Sequence, residues 1–165
     1  MPFTPFHMGP GLAIKAVAPK RFSVLMFGLA QVAIDIEPGL GLILGWDRLH
    51  GWTHTYAGAL AIALLVLPLK PVAGWILRRW NAELRHHGLQ RLASGDGIGW
   101  GAAAAGAFVG TLSHVALDSF MHADMTPFAP WSAANALLAA ISLSTLHAAC
   151  VVLGIVGVLL WTIRR

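Results

Sequence analysis

Cysteine is almost absent: Cys150 is the single one in this 165-residue chain. One thiol cannot build a disulfide framework or a thiolate metal cluster within a chain. Inside an apolar run it reads as a small buried hydrophobe. Charge is scarce too, at 11% of residues, while 57% are apolar and the mean hydropathy is +0.70. A soluble domain of this length exposes more polar surface than that composition supplies. The chain also lacks a Gly-x-Ser-x-Gly elbow, a Walker loop, a dinucleotide fingerprint and a His-Glu-x-x-His pair, so the best-marked hydrolase and nucleotide sites are excluded. No internal repeat and no low-complexity tract is present. No cleavable leader is expected either. Lys20-Arg21 ahead of residues 22–33 imitates one, but four prolines and another apolar stretch precede it.

What remains is a set of apolar runs of the length that crosses a bilayer, about 20 residues each. They predict one all-α domain, a polytopic membrane helical bundle with spans at about 22–44, 54–69, 98–121 and 141–163. A short N-terminal helix precedes them. Residues 1–19 open as a Pro-rich extended stretch with a turn, and 12–18 make two helical turns. Pro38 and its glycine neighbours should break or kink the first span, and Pro68 and Pro71 should stop the second. Thr53 is placed to cap the helix that His54 begins. Between spans two and three, Val72, Ile76, Trp80 and Leu84 form an apolar stripe, with Arg78, Arg79 and Arg85 on other faces. That pattern describes an amphipathic helix over about 72–92 lying on the cytoplasmic membrane surface, where it can dock anionic lipid or a partner. A turn at 94–97 follows, and a Pro-containing loop fills 123–140.

Two independent distributions support this threading. Of the 11 basic residues, three precede span one, five lie between spans two and three, and two end the chain, leaving Arg48 alone on the other side. The positive-inside rule then puts both termini in the cytoplasm. All seven tryptophans fall near span ends, as interfacial belts require. The net charge of +4, which is 11 minus 7, is therefore a topology signal, and no nucleic-acid partner is expected.

The few remaining polar residues gather at one depth. On a helix, residues four apart share a face, so Ala102, Gly106, Gly110, His114, Asp118 and His122 form one row. Its lower half admits a close neighbour, and its upper half carries imidazole and carboxylate. The threading brings Asp35, Glu37, His50, His54, Asp118, His122 and Asp124 near the outer side, with His114 about 12 Å below His122. Ionisable groups inside an apolar span are costly and point to function. A cation compensates such a cluster, and imidazole with carboxylate suits zinc first, or manganese or iron. The ligands suffice for one divalent ion or two. His147 reads as a packing residue, His86 and His87 as part of the basic helix, and Asp47, Glu83 and Asp96 as connection charges. A structural ion pair between His114 and Asp118 is the bland alternative.

Several short motifs then stand in a familiar order: Met-Pro-Phe-Thr-Pro-Phe-His7, Asp35-Ile-Glu37, His50-Gly-Trp-Thr-His54-Thr and His114-x-x-x-Asp118. Together they resemble the family of membrane-bound metal-dependent hydrolases described as LexA-binding and inner-membrane-associated. The resemblance implies a multi-span protein of the bacterial inner membrane with a divalent-metal hydrolase site. It implies His7, Asp35, His54, His114 and Asp118 as the core set, with His50 in a matching motif. His7 conflicts with the threading, which puts it across the bilayer. It joins the others only if residues 7–34 form a re-entrant hairpin, with Lys15, Lys20 and Arg21 at the bend.

The leading expectation is a hydrolase whose metal activates water against an ester or phosphoester of an amphiphile such as a phospholipid or isoprenoid phosphate. Glu37 or Asp124, as an unligated acid, would take the proton. Two alternatives differ in class. A metal or proton carrier would place its ligands nearer the midplane and show inverted repeats. A non-enzymatic assembly subunit would use the cluster to hold helices together.

Overall fold

The computed structural model describes residues 5–95 and 97–164. Residues 1–4 of the expected extended start, and Asp96 of the expected turn, lie outside them. Each apolar run is helical: α1 Met8–Val17, α2 Val24–Ile34, α3 Ile36–Leu44, α4 Tyr56–Val66, α5 Lys70–His86, α6 Trp100–Met121 and α7 Leu143–Ile163. Among the described residues, four helical stretches are long and apolar enough to cross a membrane: Val24–Leu44, Tyr56–His86, Trp100–Met121 and Leu143–Ile163. Helix starts follow local chemistry. The hydroxyls of Ser23, Thr55 and Ser142 accept from the amides of Met26, Gly58 and Thr145, giving α2, α4 and α7 their N-caps. The cap of α4 is therefore Thr55, not Thr53. Residues 52–54 make a 3-10 turn first, and Thr53 has other partners.

The small-residue row of α6 lets α2 approach closely. A Cβ on Gly110 would stand 2.8 Å from the Ala30 Cβ and 2.9 Å from the Phe27 carbonyl oxygen, and one on Gly106 would meet the Ser23 carbonyl. Met26, Ala30, Ala103 and Ala107 are fully buried at this seam together with Ala63 of α4. Close backbone contact of this kind supplies the dispersion that replaces hydrophobic drive in lipid. We expect Gly110→Leu to overpack the seam by about 1–3 kcal/mol. A lowered midpoint of thermal unfolding in detergent would report it; an unchanged midpoint would count against this packing.

The N-terminal segment packs against the last helix. α1 runs beside α7 in the same direction. Gly9 lies against the Cys150 carbonyl, Gly157 against Leu12 and Ala13, and Arg164 Nη1 donates to the Ala16 carbonyl at 3.3 Å. His7 thus begins beside the first turns of α7, near His147 and Cys150, and the chain descends to the basic end before turning into α2. Lys15 sits at the turn and donates to the Pro19 and Phe22 carbonyls at 2.6 and 3.0 Å. The threading that left His7 among the cytoplasmic residues is corrected: His7 lies at the depth of the cluster.

Two prolines act differently from expectation. Pro38 sits within the first turn of α3, where a missing N–H is tolerated, and the interruption falls upstream at Asp35. Pro38 leaves the Ile34 carbonyl without its intrahelical donor, and the Thr53 hydroxyl lies 3.1 Å from it instead. Pro68 and Pro71 also occupy first-turn positions and do not stop the helical path, which runs from Tyr56 to His86 through one 3-10 turn. The amphipathic segment therefore continues span two instead of lying apart from it. Its inward face is Ala73, Gly74, Asn81 and Leu84, while Val72 and Trp80 of the expected stripe are exposed. Asn81 explains that choice: its amide exchanges hydrogen bonds of 2.8 and 3.0 Å with the Ser94 backbone, anchoring the connection to α6.

Candidate metal centre

Asp35 stands at the break between α2 and α3, His54 ends the 3-10 turn, and His114 and Asp118 face inward from α6. All four are buried, and one ligand atom from each lies within 4.8 Å of the others. His114 Nε2 is 3.2 Å from Asp35 Oδ1 and 3.1 Å from Asp118 Oδ2, and His54 Nε2 is 3.6 and 3.5 Å from the same atoms. Among the described residues, neither Nε2 has a hydrogen-bond partner. A tetrahedral ion with bonds of about 2.1 Å separates its ligand atoms by roughly 3.4 Å. The four cross-distances scatter around that edge. This group can hold a metal ion.

The far side of each ring fixes which nitrogen faces inward. His114 Nδ1 meets Gln31 Oε1, an acceptor, and Gln31 Nε2 donates to the Gly110 carbonyl at 3.2 Å, which sets the amide's orientation. Nδ1 therefore carries the proton, and Nε2 turns a lone pair toward the carboxylates. His54 Nδ1 is 3.0 Å from the Thr53 hydroxyl. That hydroxyl has acceptors in Glu37 and Ile34 for its one proton, so it accepts from the ring. His50 Nδ1 lies 2.8 Å from Asp124 Oδ1. In all three rings an outer partner holds Nδ1, and at His54 and His114 Nε2 is left bare among the described residues. Lone pairs facing carboxylate oxygens repel unless a cation or a proton lies between them.

The two acids expected to act on substrate both accept from backbone amides. Glu37 accepts from the Trp52 and Thr53 amides at 3.1 and 2.8 Å and from the Thr53 hydroxyl, so it pins the turn that carries His54. Asp124 accepts from the Leu49 and His50 amides at 3.1 and 3.0 Å as well as from the His50 ring. Burial alone would raise the Asp124 carboxyl, but these donors hold it at about 2. Burial lowers the His50 ring, partly offset by Asp124. At His54 burial also pulls down, yet the facing Asp118 and Asp35 carboxylates leave the ring above its ordinary pKa. A proton is thus favoured there when no cation is bound.

His50 and His122 complete the surroundings. Their rings stack with centroids 4.0 Å apart, and His122 Nε2 is 4.0 Å from Asp118 Oδ1. His122 is the cap of α6 and not part of it, so its membership in the helical row ends one residue early. His7 Nε2 is 3.4 Å from Asp118 Oδ1, and neither ring nitrogen has a hydrogen-bond partner among the described residues. His147 stacks on Phe6, which suits a packing residue.

Gln31 is the functional residue that sequence reasoning passed over. One signal was available: it is a lone amide in the apolar run 22–34, one turn before Asp35. We expect Gln31→Leu to loosen the His114 ring and lower metal affinity by roughly 10–100-fold, as read by competition with a chromogenic chelator. Unaltered affinity would remove Gln31 from the site. Comparison of the chain with protein-family models, with curated proteins and with solved structures finds no match.

Proposed function

We propose that the protein is an integral-membrane, metal-dependent hydrolase of the bacterial inner membrane acting on an amphiphilic ester or phosphoester. The observation that carries this reading is the set of bare Nε2 atoms of His54 and His114, held at tetrahedral-edge distances from Asp35 and Asp118. Mixed imidazole and carboxylate donors suit zinc, with manganese or iron next. When bound, such an ion lowers the pKa of a coordinated water and stabilises developing negative charge. Asp35, His54, His114 and Asp118 bind and orient it; Gln31, Thr53 and Glu37 keep those ligands in place. His7 is placed to take the water's proton, since its ring nitrogens are otherwise unengaged and it touches Asp118. The resemblance of the short motifs to membrane-bound hydrolases supports the same reaction class.

Two features favour an amphiphile. The side chains of His122 and Asp124 are 22% and 34% exposed, so the cluster opens toward that loop. On its other flank a trough of about 550 Å³ runs from Gln31 and Asp35 down between α1, α2 and α5, lined by Met8, Leu12, Leu25, Gly28, Leu29, Val32 and Ile76. A second apolar hollow of about 280 Å³ shares Leu12, Val24, Leu25 and Ile76 with it and continues toward Lys15 and Trp161. A headgroup at Asp35 would leave its hydrocarbon chain in that trough, with the burial of each CH₂ contributing about 0.8 kcal/mol.

The test is turnover by the purified, metal-loaded protein in detergent on long-chain phosphoesters and carboxylic esters beside short-chain analogues. Metal-dependent cleavage favouring the long chains is expected. Cation uptake into sealed vesicles without any cleavage would instead favour a carrier.

A further inference from the structure

The Asp118 carboxylate has two occupied faces. Oδ2 looks at His54 and His114, 3.5 and 3.1 Å away, while Oδ1 faces His7 at 3.4 Å and His122 at 4.0 Å. His50, Asp118 and His122 form a second group whose ligand atoms lie within 4.8 Å of one another. The first group leaves these two histidines unused. Their stacking, with planes 27° apart, brings two imidazoles together where like charges would repel if both were protonated. The Asp124 carboxylate accepts from His50 Nδ1–H, which leaves the lone pair of the ring on Nε2, the tautomer a metal ligand needs. Asp124 itself is fixed by two backbone amides, which makes the arrangement a built support and not a passing surface contact.

We infer that His50, His122 and Asp118 Oδ1 bind a second divalent cation, with Asp118 bridging it to the first, and that the paired centre acts on phosphoesters. The inference rests on the metal-site reading above. A carboxylate bridging through its two oxygens sets cations roughly 4 Å apart, the spacing that clamps the entering and leaving oxygens of an in-line phosphoryl displacement. In that reaction the water oxygen bonds to phosphorus, and the bond from phosphorus to the alcohol oxygen breaks with its electron pair on that oxygen. One proton passes from the water through His7 to the departing alcohol. No oxidant or reductant is needed. The second group sits on the more exposed side of the first. Asp124 is a positioning residue for His50.

The experiment counts metal in the full-length protein in detergent, stripped, reloaded with manganese(II) and desalted. Two equivalents per chain and a spin-coupled electron paramagnetic resonance spectrum are expected. His122→Ala should retain one equivalent with an uncoupled spectrum, and Asp124→Asn should weaken the second equivalent by roughly 10–100-fold. Thermal melts of both variants check that they are folded. One uncoupled equivalent in the wild type overturns the second site while leaving a mononuclear hydrolase standing. Two coupled equivalents with no turnover on any phosphoester support the second site but overturn the assigned reaction. Absence of bound metal overturns both.

Discussion

Asp118→Ala is expected to empty the centre and to lower turnover by roughly a thousandfold or more, the scale of losing a principal electrostatic stabiliser. Asp118 alone contacts both histidine groups, and its two oxygens are buried among His7, His54, His114 and His122. Removing it leaves Asp35 with His54 and His114, a set one ligand short whose remaining carboxylate is not shared with His122. Asp118→Asn tests the same point with nearly unchanged volume: the amide keeps the shape but supplies one neutral oxygen in place of a shared anion. Both variants should remain folded, because Val115 and Thr111 hold the inner face of α6 independently of the cluster. Asp47→Ala, at an exposed loop position, is the control and should leave metal content and turnover unchanged. Metal content by elemental analysis alongside turnover decides the matter. Full metal content in Asp118→Ala would end the proposed centre.

Stripping the metal is expected to produce the next largest effect, on stability. A ligand present at a thousand times its dissociation constant stabilises the folded state by about 4 kcal/mol, and chelation removes that contribution. The loss should depend on pH in a defined sense. Although burial opposes it, His54 of the metal-free protein has its pKa raised by the facing Asp118 and Asp35 carboxylates. A proton there contributes stability that is complete below pH 6.5, the ordinary value of the imidazole. That contribution is lost as pH rises through the folded-state pKa. Metal binding needs the ring deprotonated, so affinity moves the opposite way. The gap in unfolding temperature between loaded and stripped protein should therefore widen from pH 6 to pH 8. Burial lowers His50 and His122, so their protonation matters on the acid side of that window and does not reverse the trend. Thermal melts in detergent with and without chelator measure the gap. A constant gap would mean that the carboxylates are compensated by something other than His54 and a cation.

Much of this was legible in the residues because a bilayer imposes simple rules. Apolar length gave the four spans, and a row of small residues four apart marked the face of α6 that α2 approaches. Ionisable side chains in such a chain could be collected by depth, which brought Asp35, His54, His114 and Asp118 onto one list without any contact being known. The scarcity of other polar groups made that list short.

Tertiary structure decided what each listed residue faces. His7 joined the cluster because Gly9 and Gly157 allow α1 to lie against α7, a pairing that charge counting along the chain cannot register. Glu37 and Asp124 carry the residue types of a general base, and only the fold shows that both also accept from backbone amides; those donors come from residues 49–53, which no helical period links to them. Gln31 gained its role from the carbonyl of Gly110 across the seam. Sequence therefore determined which groups the membrane forces inward, since transfer energies depend on residue type and span length. Only packing determined which oxygen meets which nitrogen, since that depends on backbone approach at the ångström scale between segments far apart in the chain.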